Sequence, residues 1–149
     1  IRDRVRAAKA YDECSSKDIP RVILIDTFKD EAEESIRVAK ALGKNLLGVR
    51  LDTPSERGGV TPDLVKEVRV RLDQAGFSSV KIFVSGGVTP ERIELLNKEP
   101  VDSFGVGSYI SDASPIDMTL DIKEIEGNPV AKRGRIPGKI ENKKLVKLI

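Results

Sequence analysis

Residues 80–96 read Val-Lys-Ile-Phe-Val-Ser-Gly-Gly-Val-Thr-Pro-Glu-Arg-Ile-Glu-Leu-Leu. The first five residues form a short run rich in β-branched and aromatic side chains, which is typical of a strand buried on both faces. A glycine-rich turn follows, and Thr89-Pro90 then provides the start signal of a helix. This stretch therefore predicts a strand, a polar turn and a helix in succession.

Similar apolar runs occur at residues 21–27, 46–53 and 103–108. Helices are predicted between the four runs, over about 29–42, 61–75 and 89–98. Their inward faces are predicted to contain Ala32, Ile36 and Ala39, then Val65, Val68, Leu72 and Ala75, then Ile93 and Leu96. The resulting β-α-β-α-β-α-β order predicts an α/β fold with parallel strands and right-handed crossovers. Four such strands form either a small open sheet or half of an α/β barrel.

The remaining segments give a provisional domain organisation. Because the first residue is Ile1 and not Met, we expect an N-terminal region to precede this chain. Residues 1–20 are interpreted as a lead-in helix or linker, and residues 21–121 as a βα barrel segment with a phosphate site. Residues 122–149 are interpreted as a β-hairpin, turning at Glu126-Gly127-Asn128, and a basic extension. The last 18 residues contain seven basic side chains, Lys147 among them, and one acid.

Composition excludes several kinds of chemistry. Histidine and tryptophan are absent from the 149 residues, and Cys14 is the one cysteine. Disulfides within the chain, Ser-His-Asp triads and His/Cys zinc sites are therefore excluded. Aromatic residues make up 4% of the chain, which disfavours a base-stacking surface for nucleic acid. No apolar run approaches the roughly 18 residues of a membrane span. The sequence predicts a soluble, cytoplasmic protein in which Cys14 is packed and inert.

Polar and glycine residues collect where each predicted strand ends: Asp26, Thr27, Arg50, Asp52, Ser85, Gly86, Gly87, Gly105, Val106, Gly107 and Ser108. Parallel α/β folds bind their ligands at this end of the sheet. Glycine-rich turns let an anion approach backbone N–H groups. Two such turns on consecutive strands are typical of the phosphate site at the last two strands of a barrel, so we favour the half-barrel over the open sheet.

The acidic residues leave alternatives open. Asp26 fits either a cap of the following helix or loop, or a functional acid. Asp52 fits either an ion-pair partner of Arg50 or a ligand for hydroxyl groups or Mg²⁺. Asp30, Glu31, Glu33 and Glu34 are best explained as stabilising the helix dipole. The loop Arg57-Gly58-Gly59 fits a mobile, anion-gathering lid and a plain linker equally well.

Four motifs together resemble the nicotinate phosphoribosyltransferase family, especially its archaeal and related bacterial form. They are Val-Ile-Leu-Ile-Asp26-Thr-Phe-Lys-Asp-Glu, Gly48-Val-Arg50-Leu-Asp52-Thr, Lys81-Ile-Phe-Val-Ser85-Gly-Gly and Phe104-Gly-Val-Gly-Ser108. Together with Ala131-Lys-Arg-Gly, the similarity covers about residues 10–138. It is specific through the order and spacing of the motifs, and this chain resembles the C-terminal portion of the family. The resemblance implies an irregular α/β barrel of the type II phosphoribosyltransferases, packed against an N-terminal domain.

The resemblance also implies an activity and roles for residues. Phosphoribosyl would pass from phosphoribosyl pyrophosphate to nicotinate, giving nicotinate mononucleotide and pyrophosphate in NAD biosynthesis. Residues 85–87 and 105–108 would hold the 5′-phosphate, and Arg50 and Asp52 would be the catalytic pair, with Asp26 and Thr27 at the same mouth. Mg²⁺ would act through the pyrophosphate, and members associate as homo-oligomers. The family's N-terminal domain, which helps to build the nicotinate pocket, is not in this chain. ATP coupling in the family uses a histidine that this chain lacks, so the coupling lies upstream or is lost. The isolated chain is therefore expected to be inactive.

Two rival hypotheses use the same residues differently. A sugar-phosphate isomerase or synthase barrel also pairs Ser-Gly-Gly with Gly-x-Gly-Ser, although Arg50-Leu-Asp52 and Asp26-Thr27 fit the transferase better. A non-catalytic binding or assembly module would use the basic extension, and this hypothesis predicts salt-sensitive binding of nucleic acid or an acidic partner. The sequence does not choose among nicotinate, nicotinamide and quinolinate.

Overall fold

The computed structural model describes residues 3–144 and residue 146. The chain divides into two compact units, residues 1–113 and 114–149. The first unit contains a four-stranded parallel sheet in the order β1-β2-β3-β4. The strands are β1 (Arg21–Leu24), β2 (Leu46–Leu51), β3 (Lys81–Val84) and β4 (Ser103–Phe104). The predicted α/β class with parallel strands is confirmed. The three-segment division at 20/21 and 121/122 stays a prediction.

Within the described part of the chain, five α-helices accompany these strands: α1 (Arg4–Cys14), α2 (Glu31–Leu42), α3 (Pro62–Gln74), α4 (Pro90–Leu96) and α5 (Ser108–Ser111). Short 3₁₀ turns cover 43–45 and 55–57. Side chains of Asp30, Thr61 and Thr89 cap the N-termini of α2, α3 and α4 by accepting backbone N–H groups. The predicted helices are therefore present, and each begins at the first residue after its capping side chain.

One face of the sheet forms the core. Ile25, Val49, Leu51, Ile82 and Val84 are completely buried on this face, and α2 packs against β2 and α3. On the opposite face Arg50 is exposed, and the ring of Phe83 crosses the backbone of Gly48. A Cβ at Gly48 would lie 2.6 Å from that ring, so only glycine lets the phenyl group approach. The sheet therefore has one sealed face and one partly open face.

Several local predictions were wrong. Residues 105–108 do not continue β4; residues 105–107 form an irregular segment, and Ser108 begins α5. Ile36 is only half-buried, because the inward face of α2 is centred on Ala32, Ser35 and Val38. Cys14 is exposed and not packed. It lies six residues after the buried Ala8, which places it about 120° around the helix from the core-facing side.

The second unit contains the predicted hairpin in a shorter form. Strands β5 (Glu124–Ile125) and β6 (Asn128–Pro129) pair antiparallel, and the turn residues Glu126 and Gly127 have positive φ angles. The carbonyl of Lys123 accepts hydrogen bonds from the N–H groups of Val130 and Gly138. Lys143 and Lys144 are exposed, and Lys147 lies outside the described residues. Among the helices that the structure describes, none has the length and apolar character that a membrane crossing requires.

Candidate active site

The carboxyl ends of β3 and β4 meet at one rim of the sheet. The N–H of Gly105 donates to the carbonyl of Val84 at 2.8 Å, and a Cβ at Gly105 would lie 3.2 Å from the Cβ of Ser85. The turn at residues 85–87 therefore lies beside the turn at residues 105–108, as parallel pairing of the two strands requires. The structure brings together the two glycine-rich segments of the predicted phosphate site.

Unused backbone donors are concentrated in these turns. Within residues 3–144, the N–H groups of Gly86, Gly87, Val106 and Gly107 donate to no other protein group. Gly86 and Gly87 both have positive φ, and a Cβ at Gly87 or at Gly107 would meet nothing within 4 Å. Uncommitted N–H groups beside open space are the donors that an anion uses at such a turn.

Asp52 is fixed against the first of these turns. The hydroxyl of Ser85 donates to Asp52 Oδ2 at 2.9 Å, and the N–H of Ser85 donates to the carbonyl of Leu51 at 2.8 Å. Asp52 Oδ1 lies where a side chain on Gly86 would begin, because a Cβ there would be only 2.5 Å away. The carboxylate and the turn therefore form one packed unit at the end of β2 and β3.

Asp26 lies on the other side of Asp52. Its Oδ2 accepts the N–H of Asp52 at 3.0 Å. Burial raises the pKa of Asp26 above its ordinary value, and repulsion from Asp52 and Glu31 adds to this effect, while backbone hydrogen bonds oppose it. The cap of α2 is Asp30, so the helix-cap interpretation of Asp26 was wrong. Its carboxylate faces the rim that Asp52 and Ser85 share.

Arg50 and Thr27 are placed at the same end of the sheet. Arg50 is exposed beside Asp52, yet no ion pair joins the two among the described residues. The ion-pair interpretation of Asp52 was therefore wrong. Thr27 is exposed, and its hydroxyl accepts a hydrogen bond from Nη2 of Arg4. Val106 packs against the core, and Ser108 begins α5.

The sequence analysis assigned no role at this rim to three residues that the structure places there. Glu31 is 1% exposed, and its Oε1 accepts the Thr53 hydroxyl at 2.8 Å and faces Arg57 Nη1 at 3.4 Å. A signal was present, since Glu31 occupies the buried stripe of α2 with Ser35, Val38 and Leu42 at helical spacing. An acid on an apolar stripe needs a partner, and the helix dipole alone does not explain its burial.

The other two are arginines. Arg4 on α1 reaches Thr27 and lies over the Phe28 ring at 5.3 Å. Arg92 on α4 donates from Nη2 to the carbonyl of Val60 at 2.9 Å, which ties the loop after β2 to the helix that follows residues 85–87. Both contacts join segments far apart in the chain, and no local pattern signals them.

Comparisons with known proteins agree with this arrangement. A family model described as the quinolinate phosphoribosyl transferase C-terminal domain matches residues 2–121. The chain is 34% identical over 116 residues to the nicotinate phosphoribosyltransferase pncB2 of Mycobacterium tuberculosis (strain H37Rv), covering 72% of this chain and 24% of that protein. It is 33% identical over 116 residues to the nicotinate phosphoribosyltransferase of Bacillus subtilis, covering 75% of this chain and 23% of that protein.

A solved structure shares the fold. The crystal structure of nicotinate-nucleotide pyrophosphorylase from Pyrococcus furiosus is 49% identical, with a TM-score of 0.74 over 92% of this chain and 35% of that one. The chain thus spans only 23–24% of the length of the two curated relatives described above. Because the family model covers most of the chain and its strand ends, this chain belongs to the family of the quinolinate phosphoribosyl transferase C-terminal domain.

Proposed function

We propose that the protein, at its natural full length, is a phosphoribosyltransferase of NAD biosynthesis. It transfers phosphoribosyl from phosphoribosyl pyrophosphate to nicotinate and releases pyrophosphate. The observation that carries the proposal is the hydrogen bond from Ser85 to Asp52, because it joins an acid to the anion-binding turn. A substrate in which a phosphate lies next to a ribose matches this arrangement, with the phosphate at the turn and the ribose at the acid. The names of the relatives support the same reaction class.

The 5′-phosphate is assigned to the two glycine-rich turns. The free N–H groups of Gly86, Gly87, Val106 and Gly107 supply several donors to one anion, with the hydroxyl of Ser108 at the same turn. Backbone donors on a folded rim are preorganised, so anion binding requires little reorganisation. Anchoring the phosphate then holds the ribose ring at a fixed distance from Asp52.

The acids are assigned to the ribose. Departure of pyrophosphate leaves positive, oxocarbenium-like character on the ribose C1. Asp52 and Asp26 provide negative charge at this rim, and fixed charges stabilise such a transition state more than they stabilise the substrate. The carboxylate oxygen of Asp52 that Ser85 does not use is assigned to the ribose hydroxyl groups. No covalent nucleophile is needed, which agrees with a chain without histidine.

Mg²⁺ fits the residues of this rim. Within the described residues no group of three His, Cys, Asp or Glu side chains forms a metal cage. Mg²⁺ is usually held by one or two carboxylates together with substrate phosphates, and Asp26 and Asp52 provide two carboxylates on neighbouring strands. With pyrophosphate bound, the ion would neutralise charge on the leaving group. The ion therefore depends on the substrate for most of its ligands.

Arg50 is assigned to the pyridine carboxylate. It is an exposed cation beside the acids and is not ion-paired with Asp52, and a guanidinium matches a carboxylate in a bidentate geometry. Nicotinate is the first candidate because the nicotinate phosphoribosyltransferases of two bacteria are 33–34% identical. Quinolinate is the second, because the matching family is named after it.

One assay separates these possibilities. The natural full-length protein is incubated with Mg²⁺ and phosphoribosyl pyrophosphate, with nicotinate in one arm and quinolinate in another. Pyrophosphate release with nicotinate alone supports the proposal. Pyrophosphate with equimolar CO₂ from quinolinate favours the second candidate, since the extra carboxylate has to leave to give nicotinate mononucleotide. Release of pyrophosphate in neither arm overturns the transferase assignment and favours a sugar-phosphate enzyme.

A further inference from the structure

Glu31 is a buried carboxylate with two partners from one loop. It lies in the first turn of α2 and is 1% exposed. Its Oε1 accepts the Thr53 hydroxyl at 2.8 Å and faces the Arg57 guanidinium at 3.4 Å. Thr53 is itself 6% exposed. Both partners belong to the segment that follows β2, so Glu31 holds that segment against α2.

The next step leads to the proposed ribose acid. Thr53 is the residue immediately after Asp52, so fixing its side chain restricts the backbone that carries the Asp52 carboxylate. The N–H of Asp52 is held by Asp26 at 3.0 Å, and its Oδ2 receives the Ser85 hydroxyl at 2.9 Å. Glu31 and Thr53 therefore complete a set of contacts that fixes Asp52 from both sides.

We propose that Glu31 is a positioning residue that acts on Asp52 through Thr53 and Arg57. The proposal rests on the proposed function, since it assumes that the placement of Asp52 matters for transfer. Burying a carboxylate is costly, and a well-packed apolar residue often serves stability equally well. The presence of an acid here is explained by its role in fixing the positions of Thr53 and Arg57. Side chains at reacting centres need such support to keep a productive geometry.

The helix provides a matched control three residues away. Glu34, on the same helix, is 0% exposed. Its Oε1 and Oε2 accept hydrogen bonds from Nη1 of Arg37, at 2.9 and 3.0 Å. Its partner belongs to α2 itself, and among the described residues Glu34 makes no hydrogen bond or ion pair with the loop after β2. Glu34→Gln therefore reproduces the loss of a buried charge without touching Asp52.

The experiment compares Glu31→Gln with Glu34→Gln in the natural full-length protein. We expect kcat/KM for phosphoribosyl pyrophosphate to fall about tenfold to a hundredfold in Glu31→Gln, because small displacements of a catalytic group have effects of this size. We expect Glu34→Gln to stay within about twofold of the native value, since its partner lies away from the rim. Equal activity in the two variants, at similar melting temperatures, overturns the proposal.

A second pair keeps the test decisive if Glu31→Gln does not fold. Thr53→Val removes the hydroxyl, whereas Thr53→Ser keeps it. We expect the serine variant to retain most of the activity that the valine variant loses. Equal losses in both variants contradict the proposal.

A crystal structure of Glu31→Gln, or of Thr53→Val in its place, gives a readout independent of turnover. The proposal predicts that the Asp52–Ser85 contact of 2.9 Å breaks or shifts. An unmoved Asp52 overturns it even in a protein that releases no pyrophosphate. Absence of turnover in the native protein, by contrast, counts against the proposed function and not against the structural role of Glu31.

Discussion

The hydroxyl of Ser85 donates to Oδ2 of Asp52 at 2.9 Å, although 33 positions separate the two residues in sequence. Parallel pairing of β2 with β3 makes this contact possible, because Leu51 is aligned with Val84 and the next residue of each strand reaches the rim. The turn with the free backbone N–H groups of Gly86 and Gly87 is thereby joined to an acid. Most of the functional account depends on this short distance.

Replacing Asp52 by Asn tests the role of its charge. The amide keeps the shape of the side chain and still accepts from Ser85, but it removes the negative charge beside the ribose. We expect kcat to fall about a hundredfold, as for other removals of a preorganised electrostatic group. Asp63→Asn on α3 is the control, since its side chain is 95% exposed. Steady-state pyrophosphate release measures both, and an unchanged kcat in Asp52→Asn would remove this acid from the mechanism.

Gly86→Ala tests the close approach of Asp52 to the turn. The new Cβ would lie 2.5 Å from Asp52 Oδ1 on a backbone with φ +84°. Backbone strain and displacement of the Asp52 carboxylate from its contact with Ser85 are together expected to destabilise the protein by roughly 2–3 kcal/mol and to abolish most activity. Gly76→Ala has the same kind of φ, +85°, with nothing within 4 Å, and is expected to cost about 1 kcal/mol. Urea unfolding of both variants measures the difference, and equal losses would contradict the described packing.

Gly107→Val tests the anion site with little effect on the fold. The position is exposed and a Cβ there meets no atom within 4 Å, so we expect the melting temperature to change little. The branched side chain would occupy the space beside the free N–H groups, and the affinity for inorganic phosphate should fall about tenfold or more, which corresponds to about 1.4 kcal/mol. Calorimetric titration measures this affinity. Undiminished binding would place the phosphate elsewhere.

Asp26→Asn tests the electrostatic strain of the rim. Burial raises the pKa of Asp26, helped by Asp52 and Glu31. In this case the folded state binds the proton more tightly than the unfolded state, so Asp26 lowers stability as the pH rises through its folded pKa. Asn cannot ionise and can still accept the N–H of Asp52. We therefore expect the variant to have a higher melting temperature at about pH 7 and a smaller advantage at about pH 4, close to the ordinary aspartate pKa.

The same experiment has an outcome that would contradict this explanation. If Asp26 is stabilising as an anion, the Asn variant will melt at a lower temperature near neutral pH, and the gap will widen as the pH rises. Turnover is a second measurement, because an acid that destabilises the folded protein at a functional rim is expected to contribute to activity. We expect Asp26→Asn to be more stable and less active than the native protein.

The fold could be predicted from short-range patterns. Apolar runs such as the one around Val49 specify buried strands, and Thr61-Pro62 and Thr89-Pro90 specify helix starts that the structure contains. Because strands and helices alternate along the chain, few topologies are possible, and a parallel arrangement of the strands could be predicted. The meeting of the two glycine-rich turns followed for the same reason, since parallel strands place their carboxyl ends together.

The remaining contacts needed tertiary information. Glu31 meets Thr53 across 22 positions and Arg4 meets Thr27 across 23, and neither pair has a local sequence signature. The acidic first turn of α2 suggested a helix dipole effect, but two of its acids are buried against arginine partners, Glu31 with Arg57 and Glu34 with Arg37. Cys14 shows the opposite error, because cysteine is usually buried but here the helical rotation turns it outward.

The most direct test of the central claim is a crystal structure of the natural full-length protein with phosphoribosyl pyrophosphate bound. We expect the 5′-phosphate within about 3 Å of the N–H groups of Gly86, Gly87, Val106 and Gly107, the usual length of such hydrogen bonds. We also expect the ribose hydroxyl groups beside Asp52. A phosphate bound away from both glycine-rich turns, with the ribose out of reach of Asp52, would contradict the account.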